Sequence, residues 1–430
     1  MRKFYDAHCH MMNLSHPNLS VMLKRIFREL GVIDRMKISL GTFLFAIPFV
    51  GKVLPSLFKV DDRAMNLLTV METELGDCIL QMEEELRNNN PQWGGLVVSD
   101  GDRKQTYDKI VLTPLIMDFG LKNSEKSGRR YKIRWKPIAS QVLDLCLGIK
   151  YYFKYRDTHS LPGANPTTPL FEIYPFMGIN TKNYEMKKTS GDSVDLETLL
   201  FKNFAGFKDD TIDTRCEKLA ARNWRDFSGD IDMIKPYDFI GIKVYPPLGY
   251  NPWPTEKWET NANEEMKKVR FLYDFCQRNN IPITAHCSDG GFLVDKKYAH
   301  FAHPDKWAMV LGNYPNLRLN LAHFGAANEN WRKAIANLIL KYNNVYTDIS
   351  YRGVDKKYYE NLRKLLDSHA SDKREKLMER IIFGSDFMIN LLSIESYGKY
   401  LQYFTETLVF SAVEKDMLCS KNAERFLFIG

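Results

Sequence analysis

Eight short apolar runs, rich in β-branched and aromatic residues and each followed by a turn and a helical pattern, recur along this 430-residue chain. They are Lys3 to His10, Lys109 to Asp118, Leu170 to Gly178, Phe239 to Tyr245, Ile281 to His286, Leu317 to His323, Asn344 to Ile349 and Arg380 to Asp386. Strands that alternate with helices pair in parallel, because a parallel neighbour requires a long crossover. From the fourth run onward each interval leaves room for one helix, as in Glu264 to Arg278 and Trp331 to Tyr342. The expected class is therefore α/β, a distorted (β/α)8 TIM barrel. Barrels with insertions reach this length as one unit, so a single domain over residues 1–430 is expected.

About a hundred residues separate the first run from the second, far more than an ordinary connection. Within them Leu68, Met71, Leu75, Ile79, Met82 and Leu86 step by three and four, the mark of an amphipathic helix. A large helical insertion after the first strand, about residues 14–105, is expected over the barrel mouth. Leu40 to Phe58 is nearly all apolar, but Pro48 and Pro55 argue against a spanning helix and favour a buried hairpin or lid. A second stretch, roughly 180–237, is expected to add helical pieces to that cover.

With 44% hydrophobic and 26% charged residues, the chain has material for a core, which excludes a disordered class. Its net charge of +7 comes from 60 basic and 53 acidic residues, scattered apart from short runs such as Lys126 to Lys132. Scattered charge solvates a surface, so neither a nucleic-acid nor a membrane partner is expected. A small-molecule substrate is, and a mildly basic field favours an anionic one. The seven cysteines lack a Cys-x-x-Cys pair, and Met1 runs straight into Phe4, Tyr5 and Asp6 without a secretory pattern. A reducing, cytoplasmic setting follows as the expectation, with a homo-oligomer left open.

In Tyr5-Asp6-Ala7-His8-Cys9-His10, strand alternation predicts Asp6, His8 and His10 on one face. The fifth, sixth and eighth runs end on His286, His323 and Asp386. In a parallel barrel every strand's C-terminal end opens on the same face, so these residues are expected to meet. Singly, each is more often a strand cap. Together, buried without a cation, they would compete for too few partners. Imidazoles with a carboxylate suit zinc, and also iron, nickel or manganese. Lys243 shares a face with Tyr245, and a lysine in a barrel mouth is costly unless paired, modified or bound to an anion. Tyr245, Tyr351 and Arg352 lie at or just past strand ends, where they can hold a substrate carboxylate. His300 and His303 are read as organising the fifth loop, His16, His159 and His369 have no supporting context, and Cys9 and Cys287 are packing residues.

The ordered set Asp6-x-His8-x-His10, Lys243-Val244-Tyr245-Pro246, His286, His323 and Gly384-Ser385-Asp386 resembles the strand-end set of the amidohydrolase superfamily. The closing Asn422-Ala423-Glu424-Arg425-Phe426-Leu427 resembles its C-terminal helix, especially in the branch of amidohydrolase-related hydrolases and the aminocarboxymuconate semialdehyde decarboxylase type. This resemblance implies that His8, His10 and Asp386 hold a divalent metal, zinc foremost. In binuclear members a carboxylated lysine at the position of Lys243 bridges to a second ion, held by residues matching His286 and His323. In mononuclear members the residue matching His286 ligates the single ion, and the one matching His323 acts on the substrate. The implied reaction is attack of metal-activated water on an amide, lactone or ester carbonyl, with Asp386 moving the proton. Nonoxidative decarboxylation on the same ligand set is the second reading. A catalytically silent barrel serving as a binding protein is the third, disfavoured by the completeness of the ligand set.

Overall fold

The computed structural model describes residues 1–16, 62–89, 94–119, 138–161, 168–187, 194–259 and 261–428. In chain order its strands are β1 (Lys3–Cys9), β2 (Leu96–Ser99), β3 (Lys104–Tyr107), β4 (Lys109–Pro114), β5 (Phe171–Ile173), β6 (Phe176–Gly178), β7 (Gly241–Val244), β8 (Ile283–His286), β9 (Leu319–Ala322), β10 (Val345–Asp348) and β11 (Ile381–Ile382). All pair in parallel except the hairpin β2–β3, in the orders β1-β4-β5 and β11-β10-β9-β8-β7-β6. The third expected strand is cut into β5 and β6 at Tyr174-Pro175, because proline has no N–H to give the ladder. A parallel bridge between Leu115 and Phe176 joins the two parallel sheets on one side. On the other, Ala7 N donates to Phe383 O (3.1 Å) and Asp386 N to His8 O (2.7 Å), so the eight strand positions form a closed ring.

Helices Ala262–Arg278, Pro304–Asn313 and Glu329–Lys341 fill the crossovers around β8 and β9, the first and last close to the expected Glu264 to Arg278 and Trp331 to Tyr342. Asn328 starts the last of these by accepting from the N–H groups of Asn330 and Trp331. Leu319, Leu321, Ile283, Ala285 and Val345 face outward into the core shared with these helices. Tyr5, Ala7, Val111, Tyr346 and Phe426 fill the barrel interior below the mouth.

One expectation about β1 fails. Asp6 pairs with Leu112 but Cys9 with Pro114, so β1 carries one extra residue between these points. Such a bulge reverses the side-chain phase. Tyr5 and Ala7 therefore face inward below it and His8 and His10 above it, while Phe4, Asp6 and Cys9 turn to the outer layer. Asp6 does not share the face of the two histidines.

The described part of the 14–105 insertion contains two helices, Asp62–Glu72 and Leu75–Asn88, rather than one continuous helix. The break falls at Glu74, whose extended backbone (φ −63°, ψ 145°) starts the second helix. The insertion is also not wholly helical, since it ends in the β2–β3 hairpin. Leu40 to Phe58 and Lys126 to Lys132 lie outside the described residues. The stretch 180–237 does hold helical pieces, among them Leu196–Phe204 and Ile212–Ala220. Among the described residues no helix is long and apolar enough to cross a membrane.

The insertion is tied to the barrel by a buried carboxylate. Glu83 accepts from Arg87 Nε (2.7 Å), Tyr152 OH and Leu170 N (3.3 Å), and Arg156 Nε lies 3.3 Å away. Glu83→Ala would remove the buried carboxylate that Arg87 and Arg156 share, an expected loss of about 3–5 kcal/mol. Urea unfolding should show this as a lower midpoint, and a shift under about 1 kcal/mol would contradict it.

Candidate metal centre

The chain brings His8 of β1, His10 just past it, His286 of β8, His323 after β9, Asp348 of β10 and Asp386 after β11 to one end of the ring, all buried. Strand eight can approach strand one this closely because residue 384 is glycine, where a Cβ would lie 2.6 Å from that of His8. Asp386 then turns into the left-handed region (φ 59°), which aspartate tolerates better than most residues.

His8 Nε2 and His10 Nε2 lie 3.3 Å apart, and both face Asp386 Oδ1, at 3.4 and 3.2 Å. The opposite ring nitrogens are engaged. His10 Nδ1 meets Leu115 O at 2.9 Å and His8 Nδ1 meets Asp348 Oδ2 at 2.9 Å. A ring nitrogen that meets a carbonyl or carboxylate carries the proton, which leaves the Nε2 atoms as lone pairs. Two lone pairs and an anionic oxygen thus converge on one point, the donor chemistry of a cation site.

Further round the ring, His323 Nε2 lies 3.1 Å from His286 Nδ1. His286 Nε2 meets Gly290 O and Ser288 Oγ, each at 3.1 Å, and its ring stacks on Tyr245 at 4.4 Å. A side chain at Gly291 (φ 104°) would strike both Tyr245 and His286. His8, His10 and Asp386 form one three-donor group, and His8, His323 and Asp348 another; His286 stands beside these groups and belongs to neither.

Burial opposes charge on Asp386, but the facing imidazoles of His10 and His8 outweigh it and hold the carboxyl well below the usual range. For Asp348 burial is likewise outweighed, by the neighbouring His8, and its carboxyl is also lowered. Burial pushes His10 down and His323 down to about 3. His8 instead rises, because Asp348 outweighs its burial, which marks a demand for positive charge at this point.

Lys243 lies in the layer below, in register with Gly178 and Thr284. Its Nζ is buried without a hydrogen-bond partner, as are Thr284 Oγ1 and Asn320 Oδ1 on the next two strands. Burial pushes the Lys243 amine down to about 8, against the pull of Asp348 and Asp386.

A cleft of about 50 Å³ opens onto His10, His286, His323 and Asp386, walled by Met117, Phe292 and Ile389 on apolar sides and by Tyr245, Tyr351 and Arg352 on polar ones. Tyr245 OH accepts from Phe292 N (3.0 Å), which fixes the loop after β8. Arg352 packs 5.4 Å from the Tyr351 ring centre, and its buried Nε has no partner. Cys9 and Cys287 are buried packing residues, with burial raising both thiols. His16 pairs with Asp144 and His300 with Glu256, outside the cleft.

Sequence reasoning passes over Asp348, Ser350 and Asn320. The signal for Asp348 was the rule that exposed His286, His323 and Asp386, a polar residue finishing a strand, but the seventh run was carried one residue too far, to Ile349.

Residues 230–429 match the family model described as Amidohydrolase. That span contains Lys243, His286, His323, Asp348 and Asp386, while His8 and His10 lie before it. No curated protein matches the sequence. Solved structures with some likeness include an uncharacterized TIM-barrel protein from Bordetella bronchiseptica (19% identity, 44% of this chain and 58% of that one, TM-score 0.32). Two others are a probable 2-pyrone-4,6-dicarboxylic acid hydrolase from Acinetobacter baumannii (12%, 81% and 88%, TM-score 0.39) and dihydroorotase from Campylobacter jejuni (11%, 81% and 76%, TM-score 0.32). Over its second half, then, this parallel α/β barrel is similar to the amidohydrolases.

Proposed function

We propose that this protein is a metal-dependent hydrolase of the amidohydrolase superfamily, acting on an amide, lactone or ester of a small, acidic molecule. The observation that carries this reading is the meeting of the bare Nε2 atoms of His8 and His10 with Asp386 Oδ1. His8, His10 and Asp386 would hold a first divalent cation, zinc by the character of the donors. When bound, it supplies Lewis acidity, to water and to the carbonyl oxygen alike.

The chain's own groups would do the rest. Asp386, kept ionised, is placed to accept a proton from water and return it to the leaving group. Arg352 and Tyr351 would hold the acidic group of the substrate, and Tyr245 would line its path beside His286. Met117, Phe292 and Ile389 would exclude bulk water from its apolar side.

His286 Nδ1, His323 Nε2 and Lys243 would hold a second cation, with Lys243 as a carbamate. In that step the Lys243 ammonium first gives up one proton, the neutral amine nitrogen then bonds to the carbon of CO2 and releases a second, and a buried cation becomes an anion. The unpartnered atoms of Lys243, Thr284 and Asn320 support an extra group in this layer. Protein prepared with bicarbonate and zinc is expected to hold two metals per chain by elemental analysis, with electron density extending beyond Lys243 Nζ. One metal and a bare lysine would contradict the carbamate. That result would favour the decarboxylase reading, for which the buried Lys243 ammonium between Asp348 and Asp386 is the specific support. Product analysis on a panel of amides, lactones, esters and unsaturated acids separates hydrolysis from loss of CO2, and no turnover by metal-loaded protein on either kind would favour a silent barrel.

A further inference from the structure

Asp348 is saturated with donors. Its Oδ2 accepts from His8 Nδ1 (2.9 Å) and Asn320 Nδ2 (2.7 Å), and its Oδ1 from His323 N (2.9 Å), Ser350 N (3.2 Å) and Ser350 Oγ. Asp348, Ser350 and His8 are fully buried. An ionised carboxylate only accepts, so the single hydroxyl proton of Ser350 is committed to Asp348. What Ser350 Oγ has left is lone pairs, and two ring nitrogens face them, His323 Nδ1 at 2.9 Å and His8 Nδ1 at 3.3 Å. Both nitrogens must then carry protons.

We infer that Ser350 and Asp348 are one positioning unit that fixes the tautomer of His8 and His323 together, so that both rings present a bare Nε2 to the metal centre. The inference deepens the metalloenzyme reading and rests on it for its purpose, although the hydrogen-bond logic stands without a metal. His8 Nε2 faces Asp386 and His10, and His323 Nε2 faces His286 Nδ1, so one serine hydroxyl links the two candidate cation positions. Neither Ser350 nor Asp348 lines the cleft. Their effect is exerted through the two histidines. A partner that holds the far nitrogen of a ligating imidazole commonly sets metal affinity by roughly 10–100-fold.

The test is Ser350→Ala, which removes one oxygen and leaves the packing of the strand end intact, with Asp348→Asn as the second variant. In metal-free protein labelled with 15N-histidine, wild type should show His8 and His323 protonated at Nδ1. Ser350→Ala should add the other tautomer at His323 while His8, still held by Asp348, keeps its own; Asp348→Asn should release His8 as well. Titration with Co2+, followed by its visible spectrum, should show binding weakened roughly 10–100-fold in both variants. An unchanged His323 nitrogen signature in Ser350→Ala overturns the inference, and so does an unchanged Co2+ titration beside a wild type that binds. A wild type that binds no Co2+ defeats the metalloenzyme reading instead, and the nitrogen signatures still decide the tautomer claim.

Discussion

Asp386→Asn is expected to lower turnover about a thousandfold on the best substrate of the panel, with the fold and most of the bound metal retained. The amide keeps the shape of the carboxyl and one oxygen toward His8 and His10, so the ring is not opened. What it loses is basicity: an amide oxygen cannot take a proton from water at neutral pH, and positioned acid–base groups contribute roughly 10²–10⁴-fold. The substitution also removes a negative charge that the neighbouring histidines stabilise. Metal content should therefore fall less than turnover does. The decisive comparison is kcat against metal stoichiometry in the same preparation, with circular dichroism as the control for folding. Turnover near that of wild type with metal still bound would remove Asp386 from the proton path. A parallel loss of metal and activity would make it a ligand only.

How far such a site can be seen in a sequence depends on whether its signal is local. The strand-end residues His286, His323 and Asp386 are legible because each closes an apolar run and parallel topology brings all such ends together. His8 and His10 are legible as a pair one strand step apart. Asp6 is misread because a bulge is a property of two strands, visible only in the pairing of β1 with β4. The split of the insertion helix at Glu74 is hidden for a similar reason. The apolar spacing of Leu68 to Leu86 runs across the break without losing its period, so periodicity cannot register it. The β2–β3 hairpin did have a local mark, Asp100-Gly101 between two β-rich runs, with Gly101 in the left-handed region (φ 98°). Ser350 had none. Its importance comes from a hydroxyl that meets Asp348 and two histidines from other strands.

His8→Ala combined with His10→Ala is expected to empty the first cation position, lowering bound divalent metal by one ion per chain, and to remove the stabilisation that this ion confers. Two of the three donors at the first position vanish, leaving Asp386 alone there, and a lone carboxylate does not hold zinc against water. A ligand that binds only the folded state stabilises it by about 2.7 kcal/mol at a hundredfold excess over its Kd. Wild type should accordingly unfold at higher denaturant with zinc than after chelation, and the double variant should show a smaller difference. Comparing each protein with itself matters here. Removing both imidazoles strips Asp386 and Asp348 of partners that offset their burial, so the variant should be less stable than wild type even without metal. The difference between the two zinc responses is free of that cost. If the double variant keeps all of its metal and its full zinc response, no cation sits between His8 and His10 and the metalloenzyme reading of this ring fails. If wild type itself shows neither metal nor response, the converging nitrogens share a proton instead, and the binding-protein reading gains.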